Sequence, residues 1–233
     1  MKKDLLSYSA LCQFDKSPNH LLDYWNNRNE VTPAMLEGSL GHTLVLEPEK
    51  FAKEYVIFDG RRSGGVWTEF KAEVEKEENP RKIITQKQYN SVIEIVEVAL
   101  NNPQVRELLK ELKEVEKHVK WQTKGLNFHG FCDGVADDFI VDIKFCQDSG
   151  YKFQKDLIYG NVKMQSAMYL ESFDFDRDYY IIAIEKKRPF NSQIYKLGSE
   201  LIKEGRDKFY SLIDGYKEWD GSPGGYSNDI IEI

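Results

Sequence analysis

Residues suited to metal chemistry cluster in one stretch, residues 130–145, with the sequence GFCDGVADDFIVDIKF. Asp133 lies in one predicted strand, and Asp142 and Lys144 lie two residues apart in the next. Because side chains alternate along a strand, Asp142 and Lys144 are predicted to share one face of a sheet. Two carboxylates on adjacent strands can converge on a hard cation such as Mg²⁺ or Mn²⁺. A lysine beside that ion can orient a water molecule or stabilise charge on a phosphate.

An ion pair of purely structural importance fits the same pattern. Val141, Ile143 and Phe145 are apolar, so the strand is predicted to be covered on both sides, and a buried charge requires a partner. An ion pair shifts the pKa of a carboxylate even where that carboxylate has no catalytic role. The spacing of Asp142 and Lys144 alone therefore leaves both interpretations open.

Three polar residues on neighbouring elements extend the candidate site. Glu116 lies in the strand that precedes Asp133 and could supply a third carboxylate, although a solvated strand position explains it equally well. Gln165 and Tyr169 are four residues apart, so they share one face of a predicted helix. That face could contact phosphate or position water, or it could be an ordinary amphipathic surface.

His42 follows Gly38 and Gly41 in an otherwise apolar predicted helix. Each glycine costs a helix interior roughly 1 kcal/mol relative to alanine. We therefore expect another element to approach the helix closely at these positions. A single histidine on such a face is more often a core residue than a ligand.

Capping signals and periodicity predict the elements that position these residues. Helices are predicted to begin at Ser17-Pro18, Thr32-Pro33, Thr85 and Asn102-Pro103. The helix after Thr32 should pack on a core through Met35, Leu36, Leu40, Leu44 and Val45. Three strands, at about 114–122, 128–135 and 139–145, are predicted to form an antiparallel meander, followed by a helix (161–172), a strand (179–185) and a long helix (198–219). The predicted class is α/β of the α+β type, with one central sheet.

The length of 233 residues and the lack of a long Pro/Gly/Ser linker indicate a single domain spanning 1–233. Its parts are a mainly helical region (1–112), a core (113–219) and a C-terminal tail (220–233).

Charge and cysteine content limit the possible functions. The chain has 32 basic and 39 acidic residues, a net charge of −7, which excludes a generally basic nucleic-acid coat protein. Three cysteines without a disulfide framework indicate a reducing cytoplasm. No apolar run reaches membrane-spanning length, so no membrane association is expected.

Five segments together resemble the PD-(D/E)XK nucleases, and specifically the phage-type recombination exonucleases related to exonuclease VIII. These segments are LSYSALCQFDKSPNH (6–20), MLEGSLGHTLVLEPEKF (35–51), VEKHVKW (115–121), GFCDGV with IVDIKF (130–135 and 140–145) and NVKMQSAMYLE (161–171). No single segment is decisive, but their common order makes the resemblance specific. The resemblance implies a restriction-endonuclease-like core, with a central mixed sheet flanked by helices and an N-terminal helical extension.

The resemblance also implies roles for individual residues. Asp133 and Asp142 would bind the divalent metal, Mg²⁺ or Mn²⁺, with Glu116 near it or near a second ion. Lys144 would activate the attacking water. Gln165 and Tyr169 would position water and phosphate, and His42 would line the same site from the N-terminal helix.

Two positions depart from the family pattern. Phe145 stands where the family often has threonine after the lysine, so a supporting hydrogen bond is expected to be lost. Cys132 stands where a basic residue often precedes the first aspartate, which could weaken a phosphate contact. The predicted ligands are all retained, so an active enzyme is still expected.

Double-stranded DNA would need cationic contacts away from the acids. Two basic groups are candidates, although solvated basic loops explain them equally well: Arg61 with Arg62, and Lys186 with Lys187 and Arg188. By resemblance, the chain would form a homo-oligomeric ring around DNA and cooperate with a single-strand annealing protein.

The first interpretation is a Mg²⁺-dependent exonuclease that digests linear double-stranded DNA 5′ to 3′ and leaves 3′ single strands. A structure- or site-specific endonuclease on the same core is the second. The third is a catalytically silent DNA-binding module, which would bind DNA without metal-dependent hydrolysis.

Overall fold

A computed structural model describes residues 2–27 and 32–224. Within these residues the strands are β1 (Leu5–Leu6), β2 (Tyr55–Ile57), β3 (Lys82–Ile84), β4 (Glu114–Thr123), β5 (Leu126–Val135), β6 (Phe139–Cys146), β7 (Asp178–Glu185) and β8 (Ser192–Lys196). The helices are α1 (Tyr8–Lys16), α2 (Pro18–Asn26), α3 (Pro33–Leu46), α4 (Phe51–Glu54), α5 (Gly65–Val74), α6 (Gln86–Asn101), α7 (Pro103–Glu111), α8 (Tyr151–Tyr159), α9 (Val162–Glu171) and α10 (Ser199–Glu218). Most of the tail predicted at 220–233 lies outside the described residues.

One mixed sheet forms the centre of the molecule. Its strand order is β1-β5-β6-β7-β8, and β4 pairs with β5. The predicted meander is confirmed, since β4, β5 and β6 pair antiparallel in sequence order. Strand β7 runs parallel to β6, and β8 returns antiparallel beside β7. This is the α/β class that the sequence predicts.

The predicted helix starts are confirmed by their capping contacts. The side chains of Ser17 and Thr32 accept hydrogen bonds from backbone amides three residues later. Thr85 and Gln88 form a reciprocal capping box at the start of α6. The Asn102 side chain accepts from the amide of Gln104 at the start of α7. These caps satisfy amides that a helix leaves without internal partners.

Helices cover both faces of the central sheet. On one face, apolar residues of α8 and α9 pack against β5, β6 and β7. On the other face, α6 and α7 pack against β6 and β7. Helix α3 packs on α6 and on the small parallel sheet of β2 and β3. Helix α3 also contacts β5 and β6, so it can bring its side chains to the centre of the sheet.

Several elements differ from the sequence predictions. Helix α8 was not predicted; it has only nine residues, and its N-cap residue, Gly150, has no side chain to cap it. Strand β8 is a five-residue strand with polar residues, which carries little periodic signal. Met35 was predicted to lie in the core, but it is 57% exposed because it lies in the first turn of α3, before the helix reaches its neighbours.

The N-terminal region is more than an extension of the core. Strand β1 joins the central sheet beside β5, with Leu5 opposite Asn127 and Leu6 opposite Phe128. Among the described helices, none combines the length and apolarity needed to cross a membrane.

Candidate metal centre

Three carboxylates form a row across β4, β5 and β6. In the β4–β5 ladder, Val115 pairs with Gly134 and Lys117 with Cys132, so Glu116 lies opposite Asp133. In the β5–β6 ladder, Gly134 pairs with Val141, and extending that register by one residue places Asp133 opposite Asp142. The sheet therefore brings together acids that are far apart in sequence.

The sheet forks at this row. Strand β6 pairs with β5 only at Gly134 and Val135, and β1 takes the far end of β5, at Asn127 and Phe128. The Asp133 carboxylate accepts a hydrogen bond from the backbone N–H of Ile143, with Oδ2 2.6 Å from the nitrogen. A side chain thus replaces a ladder bond at the point where the strands separate. This contact holds Asp133 beside β6.

Asp142, Lys144 and Gln165 form a connected polar cluster. Lys144 Nζ donates to Asp142 Oδ1 and to Gln165 Oε1, each at 2.9 Å. The Gln165 side-chain amide donates to Asp142 Oδ1 at 3.2 Å. Asp142 is 3% exposed and Gln165 is 9% exposed. Strand β6 and helix α9 thereby fix the lysine ammonium beside the carboxylate.

His42 of α3 approaches the acids from the other side. Its Nδ1 lies 3.5 Å from Asp133 Oδ2 and 3.7 Å from Glu116 Oε1. One ligand atom from each of His42, Glu116 and Asp133 lies within 4.8 Å of the others. His42 is thus not the ordinary core histidine that was expected, because its ring contacts the acidic row.

The pKa values show a charged cluster in which burial and neighbouring charges compete. Burial would lower the pKa of His42, but contacts with Asp133 and Glu116 outweigh it and raise that pKa to about 10. Burial raises the pKa of Asp142 to about 6 against the opposing charge of Lys144. For Asp133, burial acts upward, yet the His42 contact lowers its pKa below the ordinary value.

The residues present fit a hard divalent cation. Lys144 Nζ lies 2.9 Å from Asp142 Oδ1 and 2.7 Å from Oδ2, so both oxygens of this buried carboxylate face the ammonium. Two carboxylates and a histidine beside it offer oxygen and nitrogen ligands. Oxygen-rich sites of this kind suit Mg²⁺ or Mn²⁺.

Gln165 and Tyr169 share the face of α9 that the sequence predicts, but they differ in surroundings. Gln165 contacts the acidic cluster, whereas Tyr169 is 7% exposed and lies in the core. The Tyr169 ring packs on Gly130, where an added Cβ would lie 2.4 Å from ring carbon Cε1. The hydroxyl interacts with Gln165, and burial raises the pKa of Tyr169 above its ordinary value. Tyr169 therefore supports Gln165.

The two positions that depart from the family pattern are both explained by packing. A Cβ on Gly41 would lie 2.4 Å from the Phe145 ring, which also lies 5.8 Å from the His42 ring. The expected close approach is thus confirmed at Gly41. It is wrong at Gly38, where nothing lies within 4 Å of an added Cβ. Cys132 is fully buried in the core, and burial raises its pKa to about 12.

A cleft of about 600 Å³ opens beside His42 and Glu116. Sequence reasoning missed several residues that line it: Ser39, Thr43, Lys50, Lys82 and Phe131. Phe131 could have been found, because it lies two residues before Asp133 on the same strand face. The lysines come from different elements, and their position depends on the tertiary fold.

Neither predicted basic group is among the residues lining this cleft. Arg62 donates to the carbonyl of Ile83 at 3.0 Å and lies over the Trp67 ring. Arg188 pairs with Glu94 of α6. The backbone of Lys186 is hydrogen-bonded to Cys146 at the end of β6. Each group thus lies beside an element of the site, outside its lining.

The fold and the row of acids define a class, the PD-(D/E)XK nuclease-like proteins. Residues 7–221 match the family described as a PDDEXK-like domain of unknown function, and the chain belongs to that family. No curated protein matches the sequence.

A solved structure shares the fold. A crystal structure from Eubacterium rectale, named "Putative exonuclease", has a TM-score of 0.67 at 14% identity and covers 92% of this chain and 80% of that chain. The structure of SSO0001 has a TM-score of only 0.28 at 16% identity, over 76% of this chain and 87% of that chain. The first similarity confirms the predicted restriction-endonuclease-like core. The family supports nuclease activity.

Proposed function

We propose that this protein is a divalent-metal-dependent exodeoxyribonuclease that hydrolyses phosphodiester bonds of linear double-stranded DNA. The observation that carries the proposal is the convergence of Asp133, Asp142 and Lys144 at the fork of the sheet, where Asp142 is buried against the lysine and Asp133 lies beside Glu116 and His42. In the proposed direction, digestion runs 5′ to 3′ and leaves 3′ single-stranded tails.

Asp133 and Asp142 would hold Mg²⁺ or Mn²⁺, with Glu116 and His42 completing or supporting the site. When bound, such an ion neutralises phosphate charge and lowers the pKa of a coordinated water. Lys144, held by Asp142 and Gln165, would direct its ammonium protons at the attacking water or a phosphate oxygen. Tyr169 would keep Gln165 in place through its hydroxyl.

Linear duplex DNA and covalently closed circles, incubated with Mg²⁺ or with EDTA, test this proposal. Wild type should degrade linear DNA and spare the circles, and both EDTA and Lys144→Ala should stop the reaction. Cleavage of circles would show that the protein is an endonuclease and not an exonuclease. If the protein binds DNA but does not hydrolyse it with any divalent ion, it is a catalytically silent DNA-binding module.

End-labelled duplexes test the polarity. A label at the 5′ end should be released first as a mononucleotide or short product, whereas a 3′ label should persist in a single strand. Early release of the 3′ label would reverse the proposed direction.

The proposed partners are DNA ends, further copies of this chain in a ring, and a single-strand annealing protein. The basic groups at Arg61 with Arg62 and at Lys186, Lys187 and Arg188 would contact DNA outside the cleft. Light scattering tests the ring, since a monomer mass in solution and on DNA would contradict it.

A further inference from the structure

An exposed stacked pair of rings lies next to the acidic row. Phe131 of β5 and His118 of β4 are cross-strand neighbours. Their ring centroids are 4.5 Å apart, and their planes differ by only 10°. Phe131 is 51% exposed although it is large and apolar, and His118 is exposed as well.

The position of Phe131 distinguishes it from an isolated apolar residue on a surface. It lies two residues from Asp133 on the same strand, and it lines the cleft together with His42 and Glu116. His118 lies two residues from Glu116 in the same way. The ring pair therefore continues the face of the sheet that carries Glu116 and Asp133. A chain held at the acids would pass over these rings.

The chemistry of this surface suits a nucleobase. Stacking on an aromatic side chain accepts any base, because every base presents a π face. The exposed side chain of Lys120 follows on the same strand, two residues beyond His118, and could meet a backbone phosphate. The pattern of ring, ring and cation is typical of surfaces that bind single-stranded nucleic acid.

We propose that Phe131 and His118 form a stacking platform for an unpaired base of the DNA strand whose phosphate lies at the metal centre. This inference rests on the proposed nuclease function and specifies which form of the substrate meets the site. The strand next to the acids would be single-stranded at this base, so a duplex end must fray before cleavage.

Binding of a fluorescent oligothymidylate measures the platform without hydrolysis. We would use anisotropy with Ca²⁺ in place of Mg²⁺ and check that the DNA stays intact on a gel. Phe131→Leu, which keeps an apolar side chain but removes the ring, should weaken binding about tenfold. Phe131→Tyr should bind like wild type. Tyr159→Leu removes an 81% exposed aromatic ring from α8, outside the cleft, and should have no effect.

A single abasic residue, moved along the oligonucleotide, adds the decisive readout. One position should cost wild type about tenfold in affinity, and Phe131→Leu should lose that penalty because the base has no ring to stack on. Equal penalties in both proteins, or no binding by wild type, would overturn the platform.

Hydrolysis of linear DNA is scored separately, so the two proposals can fail independently. Hydrolysis without a position-specific abasic penalty would retain the nuclease and remove the platform. A penalty confined to wild type, without hydrolysis under Mg²⁺ or Mn²⁺, would retain the platform on a binding module.

Discussion

Gln165 contacts both Asp142 and Lys144, and it is the only α9 side chain in the described structure that is hydrogen-bonded to either residue. Its carbonyl oxygen accepts from the lysine, while its amide donates to the carboxylate. Both groups therefore depend on one side chain for their orientation.

Substitution of Gln165 by alanine should lower kcat for linear DNA by roughly 10- to 100-fold, because residues that orient metal ligands typically contribute that much. Steady-state kinetics with Mg²⁺ measures the loss. Tyr169→Phe is the matched control, since it removes only the hydroxyl beside Gln165 and should cost less. An unchanged kcat for Gln165→Ala would show that Lys144 is held without it.

Divalent metal should stabilise the folded protein, because the clustered acids bind it only when the sheet has formed. At a concentration about 100 times its Kd, Mn²⁺ should add roughly 2.7 kcal/mol to the free energy of unfolding and raise Tm by about 5 to 10 °C. Asp142→Asn should remove most of this shift, measured by scanning calorimetry with and without EDTA.

Glu47→Gln provides the control for metal stabilisation. Glu47 is an acid that lines the same cleft but pairs with Lys50, 2.5 Å away. This variant should keep the Mn²⁺ shift. Loss of the shift in Glu47→Gln, or its persistence in Asp142→Asn, would place the metal elsewhere in the cleft.

At the scale of single residues, the sequence predicts well which face of the sheet the acids occupy, since alternation along a strand is a local property. Asp142 and Lys144 share a face as expected, and Gln165 reaches them from the next helix. Lys82 and Ser39 lie 43 residues apart, yet the lysine donates to the serine hydroxyl at 2.8 Å. No local pattern encodes that contact, because it depends on how α3 packs on the small sheet.

Helix α3 approaches β6 closely at Gly41, where the Phe145 ring occupies the space of a side chain. Gly41→Ala should destabilise the protein by about 1 to 3 kcal/mol, because overpacking forces a shift of the ring or the helix. It should also lower activity, since His42 is the next residue. Urea denaturation measures the first effect.

Gly38→Ala is the matched control on the same helix. No atom lies within 4 Å of its added Cβ, so it should stabilise the protein by about 0.4 to 1 kcal/mol. Phe145→Leu should restore stability in the Gly41→Ala background. A Gly41→Ala protein as stable as wild type would show that the ring moves at no cost.

Helices with strong caps could be predicted together with their first residues, and the long helices α9 and α10 could be predicted although they lack side-chain caps. Thr85 with Gln88 fixes the start of α6, but the N-cap residue of the short helix α8 is Gly150, which has no side chain to cap it. The backbone conformation of Glu116 also cannot be predicted from strand periodicity. Its φ is 48°, in the left-handed region, within a strand of otherwise ordinary alternation. Such strain persists only where the surrounding structure imposes it.

The whole molecule carries a net charge of −7, so attraction to DNA must come from local cations. Lys82 is 43% exposed at its side chain, lines the cleft and donates to Ser39 and Tyr55. Lys82→Gln should weaken DNA binding and lower the slope of log affinity against log salt by about 1, as expected for one lost phosphate contact. Anisotropy titrations across salt concentrations give the slope.

Lys110→Gln is the control for this charge. Lys110 is exposed on α7 and pairs with Glu107, away from the cleft lining. The slope of log affinity against log salt for Lys110→Gln should match that of wild type. Equal slopes for the wild type and Lys82→Gln would show that DNA does not enter the cleft.

The fork of the sheet divides the ligands between two bodies. Asp142 belongs to β6, which is continuous with β7, whereas Glu116 and Asp133 belong to β4 and β5. The two bodies are joined in the ladder only at Gly134 and Val135. A divalent ion would connect the two parts of the sheet across this joint. Its radius would set the distance between β5 and β6 at the acidic row. We therefore expect the larger Ca²⁺ and the smaller Mg²⁺ to leave the strands at different separations, with amide hydrogen exchange near the fork slower under the ion that draws them together.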